Sequence, residues 1–283
     1  MKKTKVKIPA KLNLTLDIKG VKNGYHVIRS LVTSIDLYDE ITVSARKDNL
    51  ITLKETGVSS GCNLTDNTAY KAARLFAETY SSNGVDIAVK KNIPVGGGLG
   101  GSSADIAGVL IGMSALYGAD FNIIALANHL GSDSGYMLEG GFAVISDRGN
   151  VVSPLRIDRT LYMLLITHEK PITARECYKT FDSEGKNYEE CTDRAVERLV
   201  AGDVAGMCKV CKNHLFHAAE SIVPEIQSSV YALKVERALL STITGSGSAV
   251  FGVFADKKQR DTAYKTLLPR YGKRLIKIES VNE

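Results

Sequence analysis

One stretch near the middle of the chain holds more glycine than a regular helix or strand tolerates. Five of the six residues from Gly96 to Gly101 are glycine, and Ser102 and Ser103 follow directly. Without Cβ atoms, this backbone can adopt positive φ angles and approach a ligand closely. A helix is predicted from about Ser103 to Leu116, and its unpaired N–H groups would face the same place. The pattern indicates a loop that binds phosphate groups.

Three known phosphate-binding patterns can be compared with this loop. Gly96, Gly98 and Gly101 have the spacing of a dinucleotide fingerprint, but neither a downstream acidic partner for ribose nor a βαβ repeat is evident. A P-loop requires a lysine where Ser102 follows Gly101. The protein-kinase pattern requires His-Arg-Asp and Asp-Phe-Gly, which the sequence lacks. The alternative without function is a flexible turn. Ordering so many glycines costs conformational entropy, and a simple turn does not need them.

The composition limits the functions to consider. The chain has 283 residues, which suggests two domains, and its net charge of +5 suits anionic small molecules without forming the basic stripe of a nucleic-acid binder. No stretch is apolar enough to span a bilayer, and no apolar segment follows the basic start, so we expect a cytoplasmic protein without signal peptide or membrane anchor. The cysteines are too scattered for a disulfide framework: Cys62, Cys177, Cys191, Cys208 and Cys211.

The order of the predicted elements indicates an α+β fold rather than a regular βαβ alternation. The first third is rich in strands, and the strand from Leu31 to Val43 is expected to turn near Asp39. A later break in the pattern divides the chain into an N-terminal domain at 1–154 and a C-terminal domain at 155–283.

A possible metal motif lies in a predicted helix from Val204 to Ala219. Two cysteines and two histidines follow one another at a spacing of three: Cys208, Cys211, His214 and His217. On a helix each step of three residues turns by about −60°, so the outer pair would lie on opposite sides. We therefore expect partly buried cysteines here and no zinc site.

Three separated segments resemble the three motifs of the GHMP kinase superfamily: Pro9-Ala10-Lys11-Leu12-Asn13-Leu14, the glycine loop from Pro94 to Ala104, and the turn Thr244-Gly245-Ser246-Gly247-Ser248. Further stretches are similar to those GHMP kinases that act on a cytidine-diphosphate-linked methylerythritol: Gly24-Tyr25-His26, Ile35-Asp36-Leu37-Tyr38-Asp39-Glu40, Asp66-Asn67, Gly131-Ser132-Asp133, Gly140-Gly141 and Pro224-Glu225-Ile226. The resemblance covers nearly the whole chain. It implies two α+β domains with the active site in the cleft between them. It also implies ATP and Mg²⁺ as cofactors, a 2-hydroxyl group as acceptor, and a monomer or homodimer.

The resemblance also implies roles for individual residues. Lys11 and Asp133 match the catalytic pair, while a solvated lysine and an Asx turn are the alternatives without function. The substrate would be held by Asn13, Tyr25, His26 and Tyr178. The alternative for His26 is an ordinary turn histidine, and Tyr178 could equally be a core tyrosine. The nucleotide would be held by Asn67, Lys91, Pro94, Val95, Gly96, Gly97, Gly98, Leu99, Gly100, Gly101, Ser102, Ser103, Ala104, Gly245, Ser246 and Gly247. Ser103 is also the candidate metal ligand.

Two departures from the family pattern concern the acceptor and the metal. The family's Gly-Gly-Gly-Ser-Ser becomes Gly100-Gly101-Ser102-Ser103-Ala104, and its Asp-Val-Pro-Phe becomes Asp133-Ser134-Gly135-Tyr136. The second change leaves open another GHMP kinase, one that acts on homoserine, mevalonate or a sugar. A nucleotide-binding protein without catalysis is a third hypothesis, which the presence of both Lys11 and Asp133 disfavours.

Overall fold

A computed structural model describes residues 2–118, 121–185 and 188–282 of the chain. Its strands are β1 (Lys3–Asn13), β2 (Asp17–Lys22), β3 (Tyr25–Ala45), β4 (Thr52–Gly57), β5 (Val85–Lys91), β6 (Phe142–Asp147), β7 (Val151–Leu155), β8 (Tyr162–Ile166), β9 (Leu240–Ile243), β10 (Val250–Phe254) and β11 (Leu275–Val281). Its helices are α1 (Thr68–Tyr80), α2 (Gly101–Tyr117), α3 (Ile123–Leu130), α4 (Ser134–Glu139), α5 (Ala174–Glu184), α6 (Thr192–Val200), α7 (Val204–Val210), α8 (Phe216–Ile222), α9 (Glu225–Val235) and α10 (Lys257–Tyr271). None of these helices combines the length and apolarity needed to cross a membrane.

The long strand β3 organises the sheet. It is rich in β-branched residues, which favour an extended backbone, and it pairs antiparallel with β1, β2, β5 and β6. Ile35 of β3 also pairs with Ser280 of β11, and β11 continues through β8 to β10 and β9. One sheet therefore connects both halves of the chain, and the predicted α+β fold is confirmed. The domain boundary after residue 154 falls near the end of β7 and stays a prediction.

The central helix α2 carries the glycine loop into the core. It is apolar on nearly all sides and mostly buried, as expected for a helix that packs inside a protein. Two glycines of α2 allow β3 to pack closely. A Cβ atom added at Gly108 would lie 2.6 Å from Ile41 Cδ1, and one added at Gly112 would lie 2.6 Å from Val43 Cγ2. This close packing places the start of α2 beside β1, the strand that carries Lys11.

Strand β3 does not turn near Asp39, so that prediction is wrong. The Asp39 carboxylate is buried, and it accepts hydrogen bonds from the N–H groups of Asn92 and Ile93 at 2.6 and 2.9 Å. Opposite this point, β1 shifts register between Pro9 and Ala10. The bulge lets the paired strands bend without ending.

The predicted helix from Val204 to Ala219 is also wrong, since α7 and α8 are two separate helices. The backbone between them pairs with the segment after β1 instead. The Leu16 N–H donates to the Lys212 carbonyl, and the His214 N–H donates to the Leu16 carbonyl, both at 2.9 Å. These bonds replace helical ones, so the geometric argument about four ligands on one helix does not apply. Within the described ranges, no three His, Cys, Asp or Glu side chains are grouped to hold a metal ion.

Candidate active site

A cavity of about 460 Å³ lies between the two halves of the chain, a size typical of small-molecule sites. Most residues predicted for the site line it: Lys11, Asn13, Asn67, Lys91, Pro94, Val95, Gly96, Gly97, Gly98, Leu99, Gly100, Gly101, Ser102, Ser103, Asp133, Tyr178, Gly245 and Ser246. Four predicted residues lie outside the wall: Tyr25, His26, Ala104 and Gly247. The structure thus brings the three separated motifs together at one place.

Hydrogen bonds from the second half of the chain hold the carbonyl groups of the glycine loop. The Gly96 carbonyl accepts from the N–H groups of Ile172 and Ser248, both at 3.2 Å. The Gly97 carbonyl accepts from the N–H of Ala249 at 3.3 Å. The early loop and the late glycine turn are therefore one structural unit.

The N–H groups of the loop are available for a ligand. In the part of the chain that the structure describes, the N–H groups of Gly98, Gly100 and Gly101 donate to no protein acceptor. Helix α2 begins at this point, with Gly100 as its N-cap at a φ of 76°. A loop of this kind at a helix N-terminus binds anionic groups such as phosphates.

Lys11 and Asp133 meet in the cavity from different elements. The Lys11 Nζ lies 3.2 Å from the Asp133 Oδ2. The lysine side chain is almost fully buried, whereas the aspartate side chain is 25% exposed and open to the cavity. The Lys11 N–H donates to the Leu99 carbonyl at 3.0 Å, which ties β1 to the glycine loop. The two charged groups therefore line the same cavity as the glycine loop.

Asn13 holds the lysine in place. Its Oδ1 accepts a hydrogen bond from the Lys11 Nζ, and its Nδ2 donates to the Ser30 Oγ at 2.8 Å. The Ser30 hydroxyl in turn donates to the Thr15 carbonyl. All four residues are buried, so the network restricts where the ammonium group can point. A contact of Asn13 with substrate stays a prediction.

Of the aromatic residues predicted for the acceptor, Tyr178 lines the cavity, while His26 and Tyr25 lie outside its wall. The His26 ring stacks on the Tyr178 ring with centroids 4.4 Å apart, and its Nε2 lies 2.7 Å from the Asp182 Oδ1. Tyr25 is 52% exposed, and the Arg148 guanidinium lies 3.5 Å from its ring centroid. Burial raises the pKa of Tyr178, so its hydroxyl stays protonated. Tyr178 and Arg148 line the cavity, so His26 and Tyr25 reach it through these two neighbours. Stacking of any of these rings on a base stays a prediction.

Lys91 lies in the cavity wall between two carboxylates. Its Nζ is 2.8 Å from the Asp39 Oδ2 and 2.5 Å from the Asp105 Oδ2. Burial lowers the pKa of Lys91, but the two carboxylate charges outweigh it and raise that pKa. Burial also raises the pKa of Asp105 to about 7, although the positive charge of Lys91 acts to lower it.

Asn67 also has a structural role, because its Oδ1 accepts a hydrogen bond from the Ala69 N–H and caps α1. Contacts of Lys91 and Asn67 with nucleotide stay predictions.

Replacing Lys91 by methionine is expected to lower the free energy of unfolding by about 3–5 kcal/mol, because two buried carboxylates lose their shared cation. Chemical denaturation of the purified variant measures this change. The double variant Lys91→Met with Asp105→Asn should recover part of the loss, since one of the unpaired charges is then absent. A single variant as stable as the wild type would contradict the assignment of this cluster as an ion pair.

The altered segment after Asp133 is fixed by a buried tyrosine. The Tyr136 hydroxyl donates to the Gly141 carbonyl at 2.6 Å. A Cβ atom at Gly135 would lie 2.4 Å from the Asn128 Oδ1, so a larger residue there would have to displace the Asn128 side chain. The segment is therefore held in place without the proline found in the family pattern.

Several residues of the wall were not predicted: Leu16, Ile28, Ser60, Cys62, Asp66, Thr68, Asp105, Ser132, Arg148 and Ala174. Some of them had a signal in the sequence. Asp105 follows the glycine loop closely, and Ala174 lies one helical turn before Tyr178. For Arg148 the sequence gives no such signal, because this residue lies in an ordinary turn between β6 and β7.

Comparisons with known proteins agree with this geometry. The models for the GHMP kinases N terminal domain and the GHMP kinases C terminal match residues 67–145 and 195–274. A 4-diphosphocytidyl-2-C-methyl-D-erythritol kinase of Clostridium beijerinckii is 32% identical over 282 residues, covering 94% of this chain and 96% of that protein. The kinase of the same name from Clostridium tetani is 32% identical over 279 residues, with the same coverage.

Solved structures show the same relationship. A crystal structure of 4-(cytidine 5'-diphospho)-2C-methyl-D-erythritol kinase matches with a TM-score of 0.83 at 27% identity, over 99% of this chain and 100% of that chain. A homoserine kinase from Cytophaga hutchinsonii shares the fold with a TM-score of 0.75 at 18% identity, over 99% of this chain and 95% of that chain. The match to relatives along almost the whole length, with all three motifs around one cavity, identifies the family. The chain belongs to the GHMP kinases and, among them, to the family of the 4-diphosphocytidyl-2-C-methyl-D-erythritol kinases.

Proposed function

We propose that this protein transfers the terminal phosphoryl group of ATP to the 2-hydroxyl of 4-diphosphocytidyl-2-C-methyl-D-erythritol, a step of non-mevalonate isoprenoid precursor biosynthesis. The observation that carries the proposal is the Lys11–Asp133 pair, which lies beside the glycine loop in a single cavity. The names of the relatives identify the acceptor. A kinase for such a metabolite would work in the cytoplasm, as a monomer or homodimer.

We propose a part in the reaction for each group. The glycine-loop N–H groups would hold the phosphates and orient the terminal phosphorus toward the acceptor oxygen. Asp133 would accept the hydroxyl proton on its carboxylate as the new P–O bond forms and the bond to ADP breaks. Lys11 would stabilise the negative charge that develops around the transferred group, with its position fixed by Asn13.

Mg²⁺ fits this cavity as a cofactor that arrives with ATP. The hydroxyls of Ser102 and Ser103 line the wall, and neither bonds to another protein group in the described ranges. Mg²⁺ takes oxygen ligands and is commonly held by substrate phosphates with one or two protein groups. We propose Ser103 as the protein group that would hold it. The metal would neutralise charge on the phosphates when bound.

The phosphorus NMR spectrum of the product identifies which hydroxyl receives the phosphate. The purified chain, incubated with ATP, Mg²⁺ and the cytidine compound, is expected to form one new phosphomonoester. The 2-hydroxyl is on a tertiary carbon, so the new phosphorus NMR signal should show no splitting by a carbon-bound proton. A signal split into a doublet or triplet would place the phosphate on a secondary or primary hydroxyl and contradict the proposed site of transfer.

Tyr25→Ala is expected to raise the KM for the cytidine compound about tenfold or more, because stacking of an aromatic ring on a base contributes about 1–3 kcal/mol. The KM for ATP should change by less than about twofold, since Tyr25 is not among the residues that line the cavity beside the glycine loop. Steady-state kinetics with each substrate varied in turn measure both values. Tyr231→Ala, at an exposed tyrosine of α9, is the matched control. Equal increases in the KM values for both substrates would contradict the placement of Tyr25 in the acceptor site.

A further inference from the structure

His168 connects two elements just outside the cavity. It follows β8 and is partly buried, with its Nδ1 2.7 Å from the Ser248 carbonyl oxygen and its Nε2 2.9 Å from the Ser229 Oγ. A carbonyl oxygen can only accept, so the Nδ1 carries the hydrogen, and the Nε2 then accepts from the Ser229 hydroxyl. Burial lowers the pKa of His168 and keeps the ring neutral, which agrees with this tautomer.

The residue that His168 contacts is part of the late glycine turn. The Ser248 N–H donates to the Gly96 carbonyl at 3.2 Å, and its hydroxyl donates to the Lys170 carbonyl at 2.8 Å. Two residues earlier, Ser246 lines the cavity. Any shift of Ser248 therefore moves both the wall residue Ser246 and the support of the glycine loop.

The hydrogen bond from His168 has structural consequences because Ser248 is only 2% exposed. Without the imidazole, the Ser248 carbonyl would lose a donor in a place that water reaches poorly. Ser229 is buried too, so the ring is held from its far side by α9. The chain of contacts runs from α9 through His168 to Ser248 and then to Gly96.

We propose that His168 is a positioning residue that fixes the late glycine turn against the glycine loop and thereby sets the affinity for ATP. The proposal rests on the proposed function, since it assumes that the cavity binds ATP. His168 does not line the cavity and does not act in phosphoryl transfer itself. It acts through the Ser248 carbonyl alone.

Three substitutions separate this role from a general effect on stability. The Nδ2 of an asparagine at position 168 can occupy the place of the histidine Nδ1, whereas the Nε2 of a glutamine corresponds to the histidine Nε2. His168→Asn should therefore keep the bond to Ser248, and His168→Gln and His168→Ala should lose it. Ser229→Ala removes the partner on the other side of the ring and leaves the Ser248 bond in place.

The measurement is the Kd for ATP of each full-length variant by isothermal titration calorimetry, together with the KM for the acceptor. His168→Ala and His168→Gln are expected to raise the Kd for ATP about tenfold, the effect of losing one buried hydrogen bond. His168→Asn and Ser229→Ala should stay within about threefold of the wild type, and no variant should change the acceptor KM by more than that. An asparagine variant as weak as the alanine variant, or equal losses for both substrates, would overturn the proposal. Wild-type protein that binds no ATP would instead contradict the proposed function.

Discussion

Asp133→Ala should lower kcat by about 10²–10⁴-fold, the range that a positioned general base contributes. The carboxylate lies within reach of Lys11 and can take the proton of an acceptor hydroxyl. The Kd for ATP should stay within about twofold of the wild type, because in the proposed reaction the glycine loop, and not Asp133, holds the phosphates. Single-turnover kinetics at saturating ATP measure the first effect, and calorimetry measures the second.

Two further variants make this result specific. Asp133→Asn keeps the size of the side chain and removes its charge, so it should lose nearly as much activity as the alanine variant. Glu139→Gln removes an exposed carboxylate at the other end of α4 and should leave kcat unchanged. Turnover of Asp133→Ala close to that of the wild type would show that the proton leaves by another route.

Gly98→Ala is expected to abolish ATP binding at millimolar concentrations. Gly98 has a φ of +75°, and a Cβ atom there would lie 2.1 Å from the Thr244 carbonyl oxygen and 3.2 Å from the Gly247 nitrogen. Left-handed backbone costs about 1–2 kcal/mol for a residue with a side chain, and overpacking costs about 1–3 kcal/mol more. The clash is with backbone, which cannot move aside without separating the two glycine segments.

The variant Gly185→Ala separates the cost of the left-handed backbone from the cost of the clash with Thr244. Gly185 also has a positive φ, +60°, but a Cβ atom there would meet no other described residue within 4 Å. This variant should lose only about 1 kcal/mol of unfolding free energy and keep ATP binding. If Gly98→Ala lost no more than Gly185→Ala in both stability and ATP affinity, the contact between the two glycine segments would not be essential.

The sequence predicts those parts of the site whose structure depends on the residues of one short segment. The run from Gly96 to Gly101 predicts a phosphate loop because glycine adopts positive φ angles and lets the backbone approach a ligand more readily than other residues do. The helix that follows it is confirmed as α2, since an uninterrupted apolar stretch after serines leaves few alternatives. Lys11 and Asp133 followed from the resemblance to a family, and no local pattern links them.

The parts that were not predictable depend on contacts between distant segments. Asp39 favours a turn locally, but hydrogen bonds from Asn92 and Ile93 satisfy it inside a long strand. The helix expected after Val204 is interrupted because Leu16 offers its backbone as a partner. The tautomer of His168 is set by Ser248 and Ser229, which no reading of residue 168 alone could supply. In each case a tertiary hydrogen bond outweighs the local preference.

The most direct test of the proposed activity is ATP consumption by the purified chain with each of four acceptors: the cytidine compound, homoserine, mevalonate and galactose. We predict turnover with the cytidine compound alone, because the stacked His26 and Tyr178 rings suit a base that the other three lack. Turnover with homoserine, mevalonate or galactose, and none with the cytidine compound, would contradict the assigned acceptor.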